Sequence, residues 1–219
     1  KPAIENRIVH IDLKGPKIPF DSFKNFIQLL ARWGINGVLV EYEHRFPYLP
    51  LKHQFPPNDR YTTFQLKELI NIAQDRGIEW IPLVQTFGHL EYLSRLKGTE
   101  DMFENPAYIQ QLCPLNEKAR EYLQKLIEIV CEFHPDSQYI HVGQDETFQL
   151  GFCSRCKKEV EKNGKMSLYL KHVQWVWELV RRYGKKPMFW NDMFFTENCP
   201  ELLSNLPGNG IPVTWQYED

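Results

Sequence analysis

Three times in this 219-residue chain a helical apolar pattern stops at a glycine and an apolar strand follows: Trp33-Gly34-Ile35, Arg76-Gly77-Ile78 and Tyr183-Gly184-Lys185. A glycine just past a helix end takes the left-handed conformation that a Cβ disfavours, which makes it a common stop signal. The strands that follow, residues 37–43, 80–86 and 187–192, open as unbroken apolar runs rather than alternating ones. A strand without alternation is buried on both faces. Strand, helix and strand in steady succession then describe a parallel sheet covered by helices.

The rest of the chain fits this unit. Residues 7–13 read as a first strand, stopped by Lys14-Gly15-Pro16. Phe23, Phe26, Ile27 and Leu30 fall at helical spacing, with Asp21 and Ser22 as candidate caps. A polar, Pro-rich loop is expected from His44 to Asn58. Thr62 and Gln65 suit a capping box ahead of the stripe Leu66, Leu69, Ile70 and Ala73. A long loop spans Leu90 to Pro114. Asn116 can cap a helix with the stripe Ala119, Tyr122, Leu123, Leu126, Ile127 and Val130. Strand four is expected at 139–145. A helix carries Leu170, Val173, Trp177 and Val180, a short one covers 201–205, and strand six covers 212–217.

A doubly wound sheet and a (β/α)8 TIM barrel both use such units. No Gly-rich fingerprint follows strand one, which weakens a nucleotide-binding sheet. Polar residues gather at the C-terminal end of nearly every strand, and a barrel collects all of those ends around one mouth. The expected fold is therefore a (β/α)8 TIM barrel with about six of its eight strands present. Residues 1–219 read as one barrel domain, continued by further strands in a longer protein, because an open apolar edge would be sticky.

A net charge of -2 argues against a nucleic-acid binder relying on a basic field. No apolar run reaches the ~20 residues of a membrane helix, so no membrane partner is expected. The five cysteines are an odd number, no Asn-x-Ser/Thr sequon occurs, and the first residues do not resemble a signal peptide. These point to a reducing compartment, the cytoplasm with the nucleus as an alternative. Cys153-x-x-Cys156 has the spacing of half a zinc site, but no second pair exists and the other cysteines are scattered, so no metal is expected.

Strand four ends in Asp145-Glu146. Two acids at the end of a buried strand are costly without a use. Glycosidic, phosphoryl and metal chemistry all employ such pairs. The bland alternative is a solvated helix start. His141 reads as an interior hydrogen-bonded histidine more readily than as a catalyst. Trp190 and Trp215 suit either a sugar platform or plain barrel core.

His141-x-Gly143-x-Asp145-Glu146 resembles the signature of family-20 glycoside hydrolases, the β-N-acetylhexosaminidases. Phe87-Gly88-His89 resembles that family's Pro-Gly-His, with Phe87 where the proline usually sits. Trp190 and Trp215 fall where the family places sugar-facing tryptophans. His10-Ile11-Asp12-Leu13-Lys14-Gly15 is similar to the first strand of the hexosaminidase D branch. The resemblance covers essentially the whole chain.

It implies removal of terminal N-acetylhexosamine (GalNAc or GlcNAc) by substrate-assisted retaining hydrolysis, an exception to the two-carboxylate scheme. Glu146 would be the general acid and then the base. Asp145 would hold the acetamido group, one acid ending the strand and the next beginning the loop. His89 and a strand-two acid, Glu43 with Glu41 as the near-even alternative, would form a relay to Glu146. Trp190, Trp215 and Tyr217 would wall the N-acetyl pocket. The family's strand-one Arg has no equivalent, so Asp12 and Lys14 are the nearest groups for sugar hydroxyls. No cofactor is implied. The partner is an N-acetylhexosamine-terminated glycan, with a homodimer as an option. Two other readings stay open. One is a metal-dependent barrel hydrolase or isomerase using His10, Asp12, His141, Asp145 and Glu146; the other is a non-catalytic sugar-binding barrel.

Overall fold

The computed structural model describes residues 3–51, 54–206, 208 and 210–217. Lys52 and His53, in the loop expected at 44–58, lie outside the described residues. Six strands run parallel in the order β1 (Ile8–Asp12), β2 (Gly37–Glu41), β3 (Glu79–Leu83), β4 (Tyr139–His141), β5 (Lys186–Trp190) and β6 (Ile211–Val213). Among the described residues each hydrogen-bonds only to its sequence neighbours in that order. The helices are α1 (Phe20–Arg32), α2 (Thr63–Gln74), α3 (Glu117–Phe133), α4 (Ser154–Asn163), α5 (Lys165–Arg182) and the short α6 (Asp192–Thr196). The sheet is a half-barrel matching the expected TIM-barrel class.

Register shows the barrel's stagger. One row of paired residues runs Asp12, Glu41, Leu83, His141, Met188, Ile211. It starts at the last residue of β1 and finishes at the first residue of β6. Strands tilted against a barrel axis produce this offset.

The sheet has two apolar faces of unequal size. Val38, Val40, Trp80, Ile140 and Phe189 point outward into a large core with helix residues such as Phe23, Ile27, Leu66, Leu126 and Val173. Leu39, Ile81, Leu83, Met188 and Trp190 point inward, joined by half-buried Tyr139, Ile211, Val213 and Trp215.

The helix signals are mostly where sequence placed them. Gly34, Gly77 and Gly184 all have positive φ. Thr62 and Gln65 form the capping box, and the Asn116 side chain accepts the Ala119 N–H. The start of α1 is a correction. Asp21 and Ser22 lie inside the helix, which follows Pro19 and has no side-chain cap. Asp21 instead pairs with Lys24 at 2.9 Å in the first turn, where negative charge suits the helix dipole. A second correction concerns β4, which stops at His141 rather than 145.

Candidate active site

The chain leaves β4 through a turn that no ordinary strand could make. Gly143, Gln144 and Glu146 all have positive φ. Gly143 turns at φ 69°, where a side chain is strained, and a Cβ there would also run into the Gln85 amide, so the position favours glycine. The Gly143 N–H donates to His141 Nδ1 at 3.1 Å. Burial drives the His141 pKa down to about 3, so the ring is a neutral acceptor. Gln144 is anchored at both ends: Tyr169 Oη donates to its carbonyl at 3.0 Å and Trp177 Nε1 to its Oε1 at 3.4 Å. The Glu146 N–H donates to Asp192 Oδ2 at 3.0 Å. Both acids therefore sit on the turn rather than dividing strand from loop. The Asp145 side chain is 13% exposed and that of Glu146 is 36% exposed.

The loop after β3 meets this turn. A Cβ on Gly88 would lie 2.5 Å from the Asp145 carbonyl oxygen, so only glycine allows the approach. It carries His89, at φ 55°. Its Nε2 lies 3.3 Å from Asp145 Oδ2 and 3.2 Å from Glu146 Oε2, and its Nδ1 lies 3.8 Å from Glu91 Oε1. Burial opposes the charged ring, but bonding to Asp145 and Glu91 outweighs it and lifts the pKa to about 10. Bonding to Asp145 and Glu91 thus favours the charged imidazolium of His89. Phe87, in the usual proline position, is buried 4.1 Å from the His172 ring and does framework duty.

Asp192 completes this side. Burial, with the charges of Asp145 and Glu146, pushes it up to about 6 against the bond from the Glu146 amide. The sequence marked Asp192 only as a polar strand end. Its role in holding Glu146 depends on a contact between residues far apart in the chain.

A second cluster occupies the ends of β1 and β2. Lys14 Nζ lies 3.3 Å from Glu41 Oε1, 3.6 Å from Glu43 Oε1 and 4.0 Å from Asp12 Oδ2. Asp12 also accepts the Lys14 N–H at 2.8 Å. Glu41 takes further bonds from Gln85 at 3.0 Å and His10 at 3.2 Å. Burial would raise Glu41, yet His10, Lys14 and Gln85 bring it down to about 2. Glu43 shows the reverse: burial, aided by neighbouring acids, pushes it up to about 8 despite Lys14. Glu43 makes no ion pair with His89 among the described residues. The pairing expected between them is absent, and Glu91 stands beside His89 instead. The reason is local: Glu43 turns at φ 47° into a short 3₁₀ segment and faces Lys14.

The tryptophans separate. Trp190 is almost wholly buried in the lumen, its ring 4.3 Å from His141 and 5.7 Å from His10. Trp215 is half-buried, with its indole nitrogen enclosed and without a hydrogen-bond partner among the described residues. Its ring lies 5.3 Å from that of Tyr217, tilted by 45°, and Tyr217 is 91% exposed. Of the five non-glycine residues with positive φ among the described residues, Glu43, His89, Gln144 and Glu146 belong to these two clusters. Such backbone persists where surroundings over-determine it, and it concentrates at functional sites. His10, Asp12, His141, Asp145 and Glu146 do not converge on one metal-sized point among the described residues. A cavity of about 790 Å³ lies at the opposite end of the sheet, between α2, α3 and the start of β3, away from both clusters.

Residues 50–219 match the family model for the glycosyl hydrolase family 20 catalytic domain. The chain is 35% identical over 226 residues to hexosaminidase D of Bos taurus, covering 96% of this chain and 62% of that protein. It is 34% identical over 220 residues to hexosaminidase D of Homo sapiens, covering 96% and 44%. A solved structure of a family-20 exo-β-N-acetylglucosaminidase from Vibrio harveyi, in complex with N-acetylglucosamine, superposes with a TM-score of 0.78. That match has 17% identity and covers 99% of this chain and 39% of the other; it speaks for the fold.

Proposed function

The chain belongs to glycosyl hydrolase family 20, and from that premise we propose that the protein containing it is an exo-acting β-N-acetylhexosaminidase. Its substrate would be a glycan ending in N-acetylhexosamine, either GalNAc or GlcNAc. The observation that carries the reading is the turn after β4. It brings Asp145 and Glu146 together within 3.3 Å of one histidine, with Glu146 the more open of the two.

In this mechanism the substrate's 2-acetamido oxygen attacks the anomeric carbon while the glycosidic C–O bond breaks. Glu146 gives its proton to the departing oxygen. Asp145 accepts the acetamido N–H and faces the positive charge of the oxazolinium-type intermediate. Water then adds at the anomeric carbon as Glu146 takes its proton, and the ring reopens. His89 holds the two carboxylates at a fixed separation, and Asp192 fixes the Glu146 backbone. Trp215 and Tyr217 offer ring faces to a sugar, and Trp190 closes the floor beneath them. Lys14, with Asp12, supplies polar contacts where the family's Arg is missing.

The test is paired. Asp145→Asn should cut turnover by about a hundredfold or more even with an activated aryl leaving group. A thiazoline mimic of the cyclised intermediate should inhibit the wild type strongly. Wild-type turnover in Asp145→Asn, or indifference to the thiazoline, would end the substrate-assisted reading.

A further inference from the structure

Away from the acid pair, the fold gathers three thiols and a carboxylate. Ligand atoms of Glu104, Cys113, Cys153 and Cys156 all lie within 4.8 Å of one another. Cys113 Sγ is 3.5 Å from both Cys153 Sγ and Cys156 Sγ, and all three thiols are free. A tetrahedral zinc with bonds of about 2.3 Å sets sulfurs about 3.8 Å apart. A disulfide needs about 2.05 Å. The spacing is that of co-ligands.

The surroundings support a cation. Glu104 is fully buried; it accepts the Gly151 N–H at 3.1 Å and the Cys153 N–H at 3.0 Å and also bonds the Cys153 and Cys156 thiols. A buried carboxylate without a positive partner is costly. The Cys156 N–H donates to Cys153 Sγ at 3.4 Å at the start of α4. Arg155 Nη2 lies 3.8 Å from Cys113 Sγ, where it would offset the excess negative charge of three thiolates and a carboxylate around a divalent ion. Soft sulfur donors in a four-ligand set select zinc over magnesium or calcium.

We propose that Glu104, Cys113, Cys153 and Cys156 bind a zinc ion that staples the loop after β3 to the start of α4. Each thiol that ligates gives its proton to solvent. Glu104 and Cys113 lie in the loop that carries His89; Cys153 and Cys156 follow the turn that carries Asp145 and Glu146. The same seam is crossed by the Gln149 N–H to Gln111 Oε1 at 3.0 Å and by Gln149 Nε2 to Gln110 Oε1 at 3.2 Å. The ion would fix the spacing between histidine and acids without touching substrate. Sequence could not complete the half-site because the third sulfur lies far upstream in the chain and the fourth ligand is a carboxylate.

The experiment is elemental analysis of the full chain, purified without chelators or metal-affinity resin, followed by cobalt exchange. One zinc ion per chain is expected. Cobalt should give thiolate charge-transfer bands and the intense visible bands of a tetrahedral ion. Cys113→Ser and Cys156→Ser should weaken or abolish both readouts, while Cys131→Ser and Cys199→Ser should preserve them. Glu104→Gln should shift the visible bands. A strong chelator should lower the melting temperature. Zinc-free folded wild-type protein that shows no cobalt bands would overturn the proposal, and so would a thiol titration two short of the five free cysteines. Unchanged bands in Glu104→Gln would overturn the four-ligand assignment. None of these readouts depends on catalysis.

Discussion

The mouth of the half-barrel holds two groups of carboxylates that share a rim but are neutralised differently. On the β1–β2 side, Asp12, Glu41 and Glu43 surround Lys14, and the Glu41 side chain is only 4% exposed. On the β3–β5 side, Asp145 and Glu146 flank His89, and Glu146 remains open to a ligand. The first group is saturated by a cation that never gives up its proton near neutrality. The second is organised by a ring that carries charge only while its acids hold it. Both are expensive in burial, and enclosure separates Glu41, at 4% exposed, from Glu146, at 36%. A carboxylate locked by several bonds is a poor proton donor, whereas one partly exposed acid beside a positioned partner can exchange protons with a substrate.

The same conservative change at each cluster should give opposite phenotypes. Glu146→Gln should lower kcat for substrates with poor leaving groups by about 10²–10⁴-fold and leave the unfolding midpoint nearly unchanged. Glu41→Gln should act mainly on stability. A carboxylate held at about 2 instead of 4.5 contributes about 3 kcal/mol, an amount urea unfolding can read. If Glu41→Gln proved as inactive as Glu146→Gln while fully stable, the division into framework and chemistry would fail.

Gly88→Ala probes the contact between loops. Its Cβ must displace the Asp145 carbonyl, and small misplacements of reacting groups cost about ten- to a hundredfold in kcat. An unaltered kcat would mean that the approach of the two loops does not set the acids. A smaller effect should appear with pH. His89 is raised from 6.5 to about 10, so its stabilisation is complete below 6.5 and is lost as pH climbs through 10. Glu43 is raised from 4.5 to about 8, so the folded state loses ground from 4.5 upward until Glu43 ionises. Both slopes have the same sign. Stability should fall by up to about 3 kcal/mol per pH unit between 6.5 and 8, where both groups act, and by about 1 between 8 and 10, seen as a declining melting temperature. His89→Gln should flatten the upper part of the decline and Glu43→Gln the lower part. A melting temperature that rises with pH between 6.5 and 10 would contradict both assignments.

Apolar runs and glycine stops made most of the framework readable, because burial and left-handed backbone are local demands. Residues 37–41 and 186–190 are strands for the reasons their composition announces. The apolar run at 139–142 misleads for an equally physical reason. Hydropathy does not register the positive φ of Gly143 and Gln144, so β4 looks longer than it is. The acid pair and His89 were legible as motifs. Glu91 and Asp192, which hold them, were not, because each acts across a loop contact that only the folded chain creates. The supposed caps Asp21 and Ser22 failed because proline can open a helix without a side-chain bond.

The slanted row from Asp12 to Ile211 has a further consequence. The rim is a level circle cut across an inclined lattice, so residues that stand shoulder to shoulder there come from successively later rungs. Glu41 lies on the row itself. Trp190 is two residues past its member of the row, Met188, and Trp215 is four past Ile211. What sets each rung is the count of residues from the helix stop to the strand. The stop glycines therefore act as length gauges. One residue inserted between Gly184 and Lys186 should turn Trp190 towards the helices and offer Phe189 to the lumen, dismantling the floor of the pocket without replacing any side chain in it.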